Sequence, residues 1–149
     1  MLPETKAAPG RRVFLVDDSH WVLRGLEVLI EQAPDLEVCG AADNVADGLE
    51  GILRKKPDIA IIDLRLRGGE GRGLIESLRR DCPQVKILVF SMYDDAYHAQ
   101  EALGCGAHGY MSKKELAEKV VPVLRQILAG ESYVSASLSG AARAKREFT

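Results

Sequence analysis

Five short apolar runs recur along the chain, and each is followed by a stretch whose apolar positions fall three and four apart. Val13 to Val16, Leu36 to Ala41, Ile59 to Ile62, Val85 to Phe90 and the short Tyr110-Met111 are the runs, and they read as strands. Ser19 is placed to cap a helix through about Gln32, with Val22, Leu26, Leu29 and Ile30 on one face and Pro34 beyond it. Asp43 or Asn44 caps a second helix, whose apolar face is Val45, Leu49, Ile52 and Leu53 and which Pro57 closes. A third runs from about Gly73 to Arg80, behind a loop holding Gly68, Gly69, Gly71 and Gly73. A fourth spans about Asp95 to Leu103. A fifth carries Val120, Val123, Leu124, Ile127 and Leu128, with Gly130 just past its end. Pro122 lacks a backbone N–H, so the fifth helix either begins near Lys119 or kinks there.

Strands that are apolar without interruption are buried on both faces, which calls for a parallel sheet with helices on either side. The pattern predicts an α/β fold: a doubly wound five-stranded parallel sheet of the flavodoxin-like order 2-1-3-4-5, with five helices. One domain is expected over residues 11–130. A disordered tail is expected at residues 1–10 and a linker or C-terminal tail at 131–149.

The formal charge of -2 gives no sign of the basic stripe that nucleic-acid binding favours; the tail carries a local basic cluster, Arg143, Lys145 and Arg146. Cys39, Cys82 and Cys105 form no C-x-x-C pair, so neither a zinc site nor a disulfide framework is indicated and a reducing cytoplasm is the expected setting. No run approaches the roughly 20 apolar residues of a membrane span. Arg11-Arg12 is followed by Asp17-Asp18 rather than by the apolar segment of a signal peptide. His20, His98 and His108 are scattered and read as ordinary surface or loop residues.

In an open parallel sheet the working crevice lies at the C-terminal ends of the strands. Those ends carry Asp17, Asp18, Asp63, Ser91 and, after the fifth strand, Lys113. Three gathered carboxylates repel one another and call for a cation. An all-oxygen donor set suits Mg²⁺ better than zinc. A carboxylate can attack phosphorus to give an aspartyl-phosphate, a transfer assisted mostly by positioning and charge neutralisation. Lys113 could supply that neutralisation, and Ser91 a hydrogen bond to the phosphoryl group. Each residue also has a plain structural reading. Asp17 and Asp18 could be turn and capping residues, Asp63 a loop residue, Lys113 solvated surface, Tyr110 core, and Ser91 part of a strand-end turn. Gly104 to Gly109 spells G-x-G-x-x-G, but it follows a helix and enters a strand, the reverse of a dinucleotide fingerprint, and reads as turn glycines.

Phe-Leu-Val-Asp17-Asp18-Ser, Ile-Ile-Asp63-Leu, Val-Phe-Ser91-Met-Tyr and Gly106-Ala-His-Gly109-Tyr110-Met-Ser-Lys113 resemble the receiver (CheY-like) domains of two-component response regulators, over about residues 11–130. The resemblance implies that Asp63 is the phospho-acceptor, fed by a sensor histidine kinase. It implies that Asp18, Asp63 and the backbone carbonyl of Arg65 bind Mg²⁺, with Asp17 acting through water. Ser91 and Tyr110 match the family's switch pair, in which the hydroxyl moves to the phosphoryl group and the ring turns inward. Lys113 matches the lysine that pairs with the phosphoryl group. Ser91-Met-Tyr-Asp-Asp, the Gly-Ala-x-Gly-Tyr turn and Leu128-Ala-Gly-Glu-Ser-Tyr133-Val-Ser resemble the NarL/LuxR-type subfamily. There a helix-turn-helix domain binds DNA to regulate transcription, and phosphorylation can drive a homodimer. The chain ends at Thr149, ahead of any such domain, so either a linker is interrupted here or the receiver stands alone and acts by protein contact. One departure is Arg67, where the family usually has Pro; Gly71 keeps the usual glycine. The alternatives are an aspartate-nucleophile phosphatase, which would need a second Asp as general acid where Arg65 stands, and an interaction domain without phosphorylation. Trp21, close to the acidic pair, is an intrinsic probe for Mg²⁺ that would separate the last reading from the first.

Overall fold

Alternation along each strand sorts its side chains into two cores. In β1 (Arg11–Val16), Val13 and Leu15 pack on one face of the sheet with Leu26, Ile30, Val120, Val123 and Leu124. Phe14 and Val16 pack on the other with Ile52, Leu74, Ile75 and Leu78. That is why the strands read as unbroken apolar runs: both faces are covered. The computed structural model describes residues 10–66, 69–93, 95–115 and 117–135. Of the tails expected at 1–10 and 131–149, residues 1–9 and 136–149 therefore lie outside the described residues, as do Arg67 and Gly68.

The elements follow as α1 (His20–Glu31), β2 (Leu36–Ala42), α2 (Val45–Lys55), β3 (Ile59–Ile62), β4 (Arg65–Leu66), β5 (Gly69–Glu70), α3 (Gly71–Asp81), β6 (Lys86–Ser91), α4 (Ala96–Gly104), β7 (Gly109–Ser112), a 3-10 turn (Ala117–Lys119), α5 (Val120–Leu128) and β8 (Tyr133–Val134). Ser19 caps α1 by accepting the Val22 N–H, and Asn44 rather than Asp43 caps α2 by accepting the Asp47 N–H. The strand order is β2-β1-β3-β6-β7-β8, parallel throughout. Its first five members reproduce the expected 2-1-3-4-5 order.

Two details correct the five-strand expectation. Tyr133 and Val134, expected in a linker, form a sixth strand along the open edge of β7, where their backbone groups find partners. Gly130, at a φ of +98°, reverses the chain after α5 so that it can return to that edge. Between β3 and α3, β4 and β5 make a two-residue antiparallel hairpin, with Arg65 opposite Glu70. Pro122 does not break α5, because the helix begins at Val120 and its first turn needs no donor there. On the face of α1 and α5, Arg125 makes a two-pronged ion pair with Asp35.

The first glycine of α3 decides how closely that helix meets the end of β3. Gly71 donates its N–H to the Leu64 carbonyl at 2.7 Å, and a Cβ on it would run into the Asp63 carbonyl oxygen. Gly71→Ala should therefore destabilise the chain by about 1–3 kcal/mol, the usual cost of overpacking against a backbone that cannot yield. Chemical denaturation checks this, and an unchanged midpoint would show that the β3–α3 junction is loose.

Candidate functional site

The chain leaves β1 for one side of the sheet and returns through β3 to the other, so the switch in strand order opens a crevice at their C-terminal ends. Asp17 follows β1 and Asp63 follows β3, and both are nearly buried, at 2% and 7% exposure. Backbone bonds hold them in register: Asp17 N–H donates to Ala42 O at 3.1 Å, and Asp63 N–H to Val16 O at 2.9 Å. Asp18 lies beside them and is exposed. One carboxylate oxygen from each of Asp17, Asp18 and Asp63 lies within 4.8 Å of the others.

Lys113 enters from the far side, after β7. Its Nζ is 2.7 Å from Asp17 Oδ2 and 3.2 Å from Asp63 Oδ2, with its side chain only 10% exposed. Its aliphatic stem passes Phe90, whose ring centre is 5.9 Å from Nζ. The backbone fixes its origin, because Lys113 N–H donates to Ser91 O at 2.8 Å. Asp17 is further held by the Ser19 N–H, 2.9 Å from Oδ1. Two buried carboxylates thus share one buried ammonium, which leaves a net negative pocket. Burial pushes the Asp63 carboxyl above its ordinary value, against the pull of Lys113, and the neighbouring Asp17 charge pushes it the same way.

The donor chemistry fits a hard divalent cation. Three carboxylates supply oxygen, the exposed side of Asp18 leaves room for water, and no thiol or imidazole belongs to the cluster. Among the described residues, Asp17, Asp18 and Asp63 are the ones whose oxygens could hold such an ion together. Arg65 begins β4, and its N–H stands 3.4 Å from Asp63 Oδ1.

Ser91 ends β6 with its side chain buried, and its Oγ accepts the Tyr93 N–H at 3.0 Å, a strand-end turn that leaves the hydroxyl proton to be donated elsewhere. Tyr110 has no exposed surface, and its hydroxyl donates to the Tyr93 carbonyl. Asp17, Asp18, Asp63 and Lys113 are thus brought together, and Ser91 and Tyr110 are joined to each other through the main chain of Tyr93. Tyr93 is the participant that pattern reading passes over as no more than a flanking residue. It acts through its main chain, and the only signal was its place two residues after Ser91. Trp21 lies 89% exposed, so its ring reports poorly on a metal among the carboxylates. The G-x-G-x-x-G stretch is the α4–β7 turn, with Gly106 at a φ of +113°. His108 is not plain surface, since its half-buried ring accepts the Ile87 N–H at 3.0 Å and burial lowers its pKa.

The family model for the response regulator receiver domain matches residues 13–125. The chain is 32% identical over 134 residues to the DNA-binding transcriptional activator DevR/DosR of Mycobacterium tuberculosis, covering 90% of this chain and 62% of that protein. It is 33% identical over 127 residues to the nitrate/nitrite response regulator protein NarL of Escherichia coli K12, covering 85% of this chain and 59% of that protein. It thus spans about 60% of the length of these curated relatives. A LuxR-family two-component response regulator from Aurantimonas sp. SI85-9A1 superposes with a TM-score of 0.88 at 29% identity, covering 92% of this chain and 98% of that one. The receiver domain of a putative NarL regulator from Mycobacterium tuberculosis superposes at 0.79 with 26% identity, covering 83% and 100%.

The raised Asp63 pKa carries a sign for stability. A group whose folded pKa lies above its unfolded value favours the fold while protonated, and that contribution is lost as pH rises through the folded value. Ionised Asp63 is therefore a cost at neutral pH. Asp63→Asn should raise the thermal midpoint at neutral pH without divalent cations, and the gain should vanish as pH falls below the ordinary value of 3.8. A lowered midpoint at neutral pH would contradict this account of the pocket.

Proposed function

The chain belongs to the response regulator receiver domain family of two-component systems, and on that premise we propose that Asp63 accepts a phosphoryl group from the phosphohistidine of a sensor kinase. The observation that carries the reading is the shared ion pair: Lys113 Nζ within 3.2 Å of both Asp17 and Asp63, beside the exposed Asp18. In the transfer, an Asp63 carboxylate oxygen forms a bond to phosphorus as the bond from phosphorus to the donor's imidazole nitrogen breaks. The electron pair stays on that nitrogen, which takes up a proton. Bound Mg²⁺ would neutralise charge on the phosphoryl oxygens. Lys113 is already in place to pair with one of those oxygens, and it can move to them from Asp17 without leaving the pocket.

Ser91 and Tyr110 then act as the switch pair. The Ser91 hydroxyl turns to the phosphoryl group and releases the Tyr93 N–H it now accepts, while Tyr110 holds the Tyr93 carbonyl from within. The β6–α4 loop is thereby drawn toward the site, and the surface of α4, β7 and α5 changes with it. DevR/DosR is named as a DNA-binding transcriptional activator, which supports an output through DNA binding; the arrangement we propose is a DNA-binding domain C-terminal to the receiver and a homodimer formed on phosphorylation. Receiver domains are normally switches rather than enzymes, and Arg65 in place of a general acid agrees with that role.

Incubation with a small phosphodonor and Mg²⁺, followed by intact mass measurement, tests the reading. The wild type should gain one phosphoryl group and Asp63→Ala none. Lys113→Ala should be slowed by about 10²-fold, the scale of losing one charge-stabilising group. An adduct that survives in Asp63→Ala, or none on the wild type, would defeat it.

A further inference from the structure

Tyr93 joins the two halves of the switch pair, because its N–H is held by Ser91 Oγ and its carbonyl by the Tyr110 hydroxyl. Its side chain is held by α4. The Tyr93 ring lies flat on the His98 imidazole, 4.3 Å between centres and 6° from parallel. His98 in turn is fixed twice by Asp95, the capping residue of α4. Asp95 Oδ1 accepts the His98 backbone N–H at 2.9 Å, and both Asp95 oxygens lie 2.8 Å from His98 Nδ1. Tyr97 meets the same imidazole edge-on at 5.5 Å. Beside this column lies an open cavity of about 360 Å³ whose lining includes Leu64, Arg65, Tyr93, Tyr97 and His98. The Arg65 guanidinium also lies over the Tyr93 ring, 5.5 Å from its centre, so a ring released from His98 keeps that one contact beside the open space.

We propose that His98 is a positioning residue of the switch. By stacking on Tyr93 it holds the β6–α4 loop in the conformation that keeps Tyr110 inward before any phosphoryl group arrives. The inference rests on Ser91 and Tyr110 being the switch pair of the reading above. In this structure Tyr110 is already fully buried while the Ser91 oxygen still accepts the Tyr93 N–H. Part of the reorganisation that phosphorylation requires is therefore made in advance, which enlarges the fraction of chains in the receptive conformation. The Asp95–His98 pair makes that preset a property of the first turn of α4, so a partner seated on that turn would act on the site through Tyr93.

Hydrogen exchange at the Tyr93 amide of the unmodified chain tests this without phosphorylation. His98→Ala should speed exchange by about 2- to 10-fold, the loss expected for one aromatic stack. His98→Phe, which keeps a flat ring against Tyr93, should restore most of the protection. The initial rate of phosphorylation from a small donor should fall by a similar factor in His98→Ala and recover in His98→Phe, with the final extent unchanged. Unaltered Tyr93 exchange in His98→Ala, or a His98→Phe chain as fast as His98→Ala, would overturn the proposal. Faster exchange in His98→Ala, together with a wild type that takes up no phosphoryl group, would instead defeat the phospho-acceptor reading and uphold the coupling of His98 to Tyr93.

Discussion

One largely buried ammonium between two buried carboxylates is the constraint on which the site depends. Asp17 and Asp63 come from strands that the sheet places side by side, and burial at that spacing would be prohibitive for two unscreened like charges. Lys113 reduces the cost but does not cancel it, as the raised Asp63 pKa records. The surplus negative charge, with Asp18 at the rim, gives the pocket a donor set that fits a divalent cation. The tight β3–α3 junction at Gly71 keeps the Asp63 backbone where that arrangement needs it.

The same lysine ties the pocket to the far edge of the sheet. Ser112 immediately precedes it, and its N–H donates to Ser135 Oγ at 2.9 Å. Two residues beyond Lys113, the Glu115 carboxylate accepts the Tyr133 hydroxyl at 3.0 and 2.8 Å. Burial and that carboxylate push the Tyr133 phenol up to about 12, so it stays a donor across the physiological range. The segment that leaves α5 is thus pinned to the loop carrying Lys113 and to the strand carrying Tyr110. A displacement of Lys113 toward a new partner has a short physical route to β8, just as a displacement of Ser91 has one to α4.

The sheet and the acidic site were legible because each depends on local signals. Apolar runs such as Ile59 to Ile62 end abruptly at a charged residue, and Ser19, Asp95 and Gly130 mark helix ends in the ways their chemistry dictates. What escaped depends on distant partners. Tyr133-Val134 is too short to show a period and is a strand only because β7 offers an edge. The β4–β5 hairpin is two residues a side and was hidden in a glycine-rich loop. His98 reads as an ordinary surface residue until Tyr93 is seen against it, and Tyr93 contributes its main chain, which no residue pattern records. The choice between Asp43 and Asn44 as cap likewise needed coordinates.

The proposed role of the site requires that these carboxylates and Lys113 form one charge-coupled cluster that takes a divalent cation. Carboxyl-carbon NMR of Asp17, Asp18 and Asp63 during a Mg²⁺ titration measures it directly. All three signals should move together along a single saturation curve, the Lys113 ammonium signal should move with them, and Asp18→Asn should weaken the binding. Signals that stay put through the titration, or that respond independently at different concentrations, would contradict it.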